Sequence, residues 1–161
     1  MRRSDLLAVG GFQETFDGYG LEDFELALRL RDHGLGFELF PGAVAYHHYD
    51  KDFGTAAREA ESRGRSAVIF AALHPHEDAD FDPKDVTPPS VARRLVRYVL
   101  PRMSIMLPFL PGLVIRGVSV FERVSPRPLS FSYTLGLEYF YLLGKQQARR
   151  DGRLTAKERL P

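Results

Sequence analysis

The chain has 161 residues, of which 44% are apolar and 27% charged, and it contains no cysteine. This composition is that of one globular domain rather than a disordered or collagen-like chain, and the missing cysteine excludes a disulfide scaffold, a zinc–thiolate site and a cysteine nucleophile. The formal net charge of +1 conceals a split: residues 1–90 carry 9 basic and 17 acidic side chains, a net of −8, while residues 91–161 carry 13 and 4, a net of +9. Such an asymmetry points to two regions with different partners.

The opening MRRSDLLAVGGF lacks the apolar stretch of a secretory signal. It begins in strand- and turn-like text with no βαβ unit before it, as a fragment or truncated reading frame would. Residues 4–9 form a short half-apolar segment, closed by a turn at Gly10-Gly11, with a second turn at Gly18-Tyr19-Gly20. A helix is predicted over 22–33. Glu22, Asp23 and Glu25 crowd its first turn, Arg29 and Arg31 lie near its end, and Gly34 follows as C-cap. Residues 37–40 and 43–46 read as two short strands separated by Pro41-Gly42. Thr55 is placed to cap a helix over 56–73. Residues 74–90, acidic and carrying four prolines, read as a linker, in which His74 and His76 are expected to be plain surface residues. From residue 91 the text turns helical, apolar and basic, breaks at 125–131, and closes with a helix over 133–150 and a polar tail over 151–161. No stretch reaches the ~20 apolar residues of a membrane-spanning helix. The nearest, residues 103–115, is interrupted by Pro108 and Pro111.

The most informative stretch is residues 3–30, RSDLLAVGGFQETFDGYGLEDFELALRL. Two glycine turns bracket an aromatic loop that delivers a carboxylate pair, Glu22 and Asp23, to a helix N-terminus. There the backbone N–H groups and the helix dipole favour an ionised carboxylate, which suits a general base or an acceptor for polyol hydroxyls. Acidic residues in a first helical turn also serve simply as caps, and spacing alone does not separate the two roles.

This stretch resembles the acceptor-side motif of inverting, GT-A-fold glycosyltransferases of family 2 and the related galactosyltransferase C-terminal module. The matching positions are Gly10, Gly11, Phe12, Glu14, Phe16, Gly18, Tyr19, Gly20, Glu22, Asp23, Glu25, Leu26, Arg29 and Leu30, and Gln13 departs from the family's frequent Asp. The resemblance implies that Asp23 is the catalytic base, that Glu22 binds the acceptor or orients the base, and that Gly18, Tyr19, Gly20, Phe16 and Arg29 contribute to substrate binding. The alternative for the two aromatics is core packing. The resemblance also implies that a histidine after the second strand, His47 or His48, helps bind a divalent metal (Mn or Mg) in the complete enzyme; the spacing does not choose between them. Asp50-Lys51-Asp52 and Asp78-Ala79-Asp80 both read D-x-D, but they lie downstream of the ED pair, where the family's metal signature does not belong.

In residues 91–102, Arg93, Arg94, Arg97 and Arg102 alternate with aliphatic and aromatic residues, a basic amphipathic pattern suited to an anionic membrane surface. A helical bundle packed on the first half is the alternative, and nucleic acid is a poor fit because no recognisable module is present. The resulting expectation is an α/β fold (partial GT-A, nucleotide-diphospho-sugar transferase-like) followed by an α-helical extension. Residues 1–73 form the C-terminal acceptor and metal side of the transferase domain, 74–90 the linker, 91–150 the basic helical extension and 151–161 the tail. The expected function is transfer of a sugar from a nucleotide-sugar donor to a lipid-linked or other hydroxyl acceptor in cell-envelope polysaccharide synthesis. The donor-binding half is absent from this text, so the chain is expected to be inactive alone. The rival expectation is a non-catalytic acceptor-binding or membrane-docking module. The expected location is the cytoplasm, peripheral on the inner face of the membrane through residues 91–120.

Overall fold

The computed structural model describes residues 1–48, 50–77, 91–124 and 130–152. Among these residues all regular structure is helical: α1 (Arg3–Ala8), α2 (Glu22–Asp32), α3 (Phe53–Leu73), α4 (Val91–Arg94), a π-helical turn (Leu95–Val99), α5 (Leu100–Met106), α6 (Leu110–Val124) and α7 (Ser130–Arg150).

The first element differs from expectation. Residues 3–8 form a helical turn, begun by Asp5 accepting from the Arg2 N–H at 2.8 Å and ended by Gly10 and Gly11, both with positive φ. Helix α2 matches its predicted span to within a residue. Its end is a Schellman motif in which Gly34 N–H bonds to Arg31 O and Leu35 N–H to Leu30 O. The Pro41-Gly42 turn also forms, with Ala43 N–H donating to Phe40 O at 3.0 Å. The strands expected on either side of it do not. Residues 35–40 and 43–48 carry no regular structure, and no described segment pairs with them in a ladder. A segment without a ladder leaves its backbone groups to water and its side chains exposed, and Leu39 and Tyr46 are 89% and 92% exposed. The α/β fold expected for residues 1–73 is therefore not seen among the described residues. Helix α3 begins three residues before the predicted start. Its N-cap is Asp52 rather than Thr55, with the Thr55 N–H donating to Asp52 Oδ1 at 2.7 Å. Hydrogen bonds from Thr55 hold the Asp52 carboxyl below the usual carboxylate range.

The principal packing is α3 against α7. Small residues make it possible: a Cβ on Gly64 would lie 2.0 Å from Tyr141 O, and one on Gly144 1.9 Å from Glu61 O. The two backbones thus touch at reciprocal glycines, and any side chain there would hold them apart. Two clusters flank the crossing. One joins Leu21, Leu28, Ala67, Phe70 and Tyr141; the other joins Phe53, Ala57, Val96, Tyr139, Phe140 and Leu143.

The π-helical turn precedes Pro101, whose ring cannot donate to the carbonyl one turn back; a local widening absorbs that loss. It also aims two arginines inward. Arg93 and Arg97 both reach Glu138 of α7, at 3.3 and 2.5 Å, and Glu138 is 4% exposed. Half of the arginines in the basic pattern of residues 91–102 therefore belong to an internal ion cluster. Nearby, Ser104 Oγ and Tyr139 Oη share a hydrogen bond, and burial pushes the Tyr139 phenol up despite it. The proline break at 107–109 separates α5 from α6 as expected, and no helix among the described residues is long and apolar enough to cross a membrane.

Candidate functional site

The loop before α2 enters the helix through two successive residues of positive φ, Gly20 at 107° and Leu21 at 72°. A leucine in the left-handed region is strained. It is held there because its side chain is buried against Leu28, Ala67 and Phe70. Gly18 and Gly20 lie against α3: a Cβ on Gly18 would meet Ser62 Oγ at 2.3 Å, and one on Gly20 would meet Arg63 Cγ at 3.2 Å. This reversal places Glu22 and Asp23 side by side at the N-terminus of α2.

The two carboxylates line an open cleft of about 340 Å³, together with Tyr19, Gly20, Leu21, Phe24 and Arg63. Asp23 is exposed, and its Oδ1 accepts from the Phe24 N–H at 2.8 Å. Glu22 is half-buried, and its Oε2 is buried without a hydrogen-bond partner among the described residues. Such an acceptor is costly to leave unpaired, and, closed to solvent as it stands, it meets a hydroxyl only if the Glu22 side chain turns into the cleft. Tyr19 is half-exposed, with Lys51 Nζ and the Arg63 guanidinium 5.6 and 5.7 Å from its ring centroid. The cleft therefore offers an accessible carboxylate, a second one half-buried beside it, an aromatic wall and the Arg63 guanidinium.

Other expected site residues are placed elsewhere. Phe16 packs against the cluster of Leu21, Leu28 and Phe70, so its ring faces the core rather than the cleft. Arg29 is engaged inward. It donates to Glu25 through Nε and Nη2 at 2.7–3.0 Å, to Gly11 O at 2.7 Å and to Val9 O. Its fork ties α2 to the glycine turn after α1, a positioning role that uses up the donors a substrate would need. Glu25, 1% exposed, also meets His74 Nε2 at 3.1 Å, and the His74 ring lies 5.1 Å from that of Phe70. His74 is thus a partly buried member of this network and not the plain surface residue expected.

His47 and His48 lie exposed on the irregular segment after the Pro41-Gly42 turn. Among the described residues no group of three or more His, Asp or Glu side chains could hold a metal ion, so the residues present do not fit a metal centre of their own. Asp52 is occupied as a helix cap, and Asp78 and Asp80 lie outside the described residues. Sequence reasoning did not single out Arg63 or Lys51. Neither lies within the motif, and only the packing of α3 under the loop brings them to Tyr19.

Residues 1–52, which include this loop and helix, match the family model described as the N-terminal domain of galactosyltransferase. That description names an N-terminal domain, not the C-terminal part implied by the resemblance. The chain is also similar to the O-antigen biosynthesis protein RfbC of Myxococcus xanthus, 30% identical over 112 residues that make up 68% of this chain and 8% of that protein. It therefore spans less than a tenth of the length of that relative. No solved structure matches the chain.

Proposed function

We propose that residues 1–52 form the acceptor side of an inverting glycosyltransferase of the GT-A kind that builds a cell-surface polysaccharide. The observation that carries this is the cleft at the head of α2, where an exposed Asp23 stands beside the buried, unpaired Oε2 of Glu22. An acceptor hydroxyl would donate to the Glu22 carboxylate once that side chain turns into the cleft, and Tyr19 would pack on the sugar's C–H face. Asp23 removes the proton of the attacking hydroxyl as its oxygen bonds to the anomeric carbon of the donor. The bond from that carbon to the nucleotide diphosphate breaks on the opposite face, and its electron pair leaves with the diphosphate. The exposure of Asp23 at the head of α2 leaves its carboxylate within reach of an acceptor in the cleft. Arg63 adds positive potential at the mouth of the cleft, favourable to an anionic donor or acceptor, while Lys51 is ion-paired with Glu59 at 2.6 Å. Similarity to an O-antigen biosynthesis protein supports a polysaccharide acceptor. The expected divalent metal at His47 or His48 carries no step here.

The test is turnover with nucleotide-sugar donors by the complete enzyme that carries these residues. Asp23→Asn is expected to lower kcat by at least ~100-fold, the usual worth of a positioned base, while nucleotide-sugar binding survives. Turnover that persists in this variant overturns the assignment of the base. Absence of turnover with every donor, together with retained glycan binding, would favour a non-catalytic acceptor-binding module.

A further inference from the structure

Helix α6 is apolar on two sides. Val114, Ile115 and Val118 pack inward on the cluster around Phe53 and Phe140. Leu113, Val120 and Val124, at spacings of seven and four, form a second stripe that is more than half exposed. Arg116 and Arg123 lie three positions from Leu113 and Val120 and so border this stripe, and both are exposed. Glu122, two positions from both Val120 and Val124, falls on the opposite side. The preceding helical stretch repeats the arrangement. Its inner face holds Arg93, Val96 and Ser104, while Tyr98 and Met106 are 60% and 83% exposed beside the exposed Arg94 and Arg102. Residues 91–124 contain six arginines and Glu122 as their one carboxylate.

We propose that the outer faces of α4–α5 and α6 dock on an anionic lipid surface. The charge pattern chooses this occupant. Arginines border the apolar stripes instead of interrupting them, so the apolar side chains can enter the interface while the guanidinium groups reach lipid phosphates. No helix among the described residues is long and apolar enough to span, so this surface lies on the bilayer. The inward-turned pair Arg93 and Arg97 takes no part, being committed to Glu138. The proposal is independent of the sugar chemistry and would stand if Asp23 were not a base.

The chain has no tryptophan, so Phe121→Trp, on the exposed flank of the α6 stripe, reports alone. With vesicles of phosphatidylcholine and phosphatidylglycerol its emission shifts to the blue and the protein floats with the lipid. With phosphatidylcholine alone both effects are much weaker, and raised salt reverses them. Tyr46→Trp, in the acidic half, does not shift. Replacing Arg116 and Arg123 by Gln lowers the anionic partition by roughly fivefold per arginine at low ionic strength. Leu113→Glu with Val120→Glu abolishes flotation while circular dichroism retains the helical signal. Absence of a shift and of flotation with anionic vesicles overturns the proposal. So does a blue shift that needs no lipid and grows with protein concentration, which would assign the surface to a second copy of the chain.

Discussion

Gly144→Ala tests the α3–α7 crossing on which both clusters depend. The new Cβ would stand 1.9 Å from Glu61 O, whereas real Cβ contacts essentially never fall below 3.0 Å. The obstacle is backbone, which cannot swing aside, so the helices must part by about 1 Å. Separation on that scale forfeits a quarter to a half of the dispersion energy of each affected contact. Overpacking of this kind costs about 1–3 kcal/mol, and exchanging glycine for alanine in a helix returns about 1 kcal/mol. The expected net loss is up to about 2 kcal/mol, a fall in Tm of up to roughly 4–8 °C for a chain of this size. Gly117→Ala is the control. It makes the same exchange on α6, where a Cβ meets nothing within 4 Å, and should raise Tm slightly. Gly64→Ala should resemble Gly144→Ala, and the double variant should cost less than the sum, because the first separation already relieves the second clash. Thermal unfolding followed by circular dichroism measures all four. A Tm for Gly144→Ala at or above that of the unmodified protein would refute the backbone contact.

Arg29→Lys should destabilise by about 3 kcal/mol in urea, because an ammonium cannot span Glu25 and two carbonyls at once and leaves a buried carboxylate under-compensated. Faster proteolysis within residues 9–20 should accompany it, and a loss below ~1 kcal/mol would show that the fork does not hold the turn. The Asp52 cap adds a pH dependence. Its folded-state pKa is lowered, so its contribution is fully present above the ordinary carboxylate pKa and is lost as pH falls through the folded-state value. Tm measured against pH should drop on that acid limb, and Asp52→Asn, which keeps an acceptor for the Thr55 N–H, should flatten it. An unchanged limb in Asp52→Asn would assign the acid sensitivity to other carboxylates.

Much of the site was legible in the sequence because it is local. Glycine turns, a first turn crowded with acids and the Schellman glycine depend on neighbours a few residues apart, so the text places Glu22 and Asp23 at the head of α2 and ends the helix at Gly34. Pro108 likewise breaks the apolar segment wherever it packs, while Pro111 sits in the first turn of α6, where its missing N–H costs nothing. The strands at 37–40 and 43–46 show the limit of such reasoning. Alternation of apolar and other residues between turn signals favours a strand, but a strand also needs a neighbour, and no described residues supply one. The same limit explains why Phe16 and Tyr19, three residues apart and equally aromatic, diverge: α3 and α7 offer Phe16 a core, while the reversal at Gly20 and Leu21 leaves Tyr19 at the mouth of the cleft. Arg29 fits a substrate clamp by motif, yet the carbonyls of Val9 and Gly11 claim it, and Arg63 joins the cleft only because α3 passes beneath. The sequence by itself determined the carboxylate pair, its helix and the division of charge. Tertiary structure decided which cations face the cleft, which arginines turn inward to Glu138 and which remain on the surface, because those outcomes follow from contacts between residues far apart in the chain.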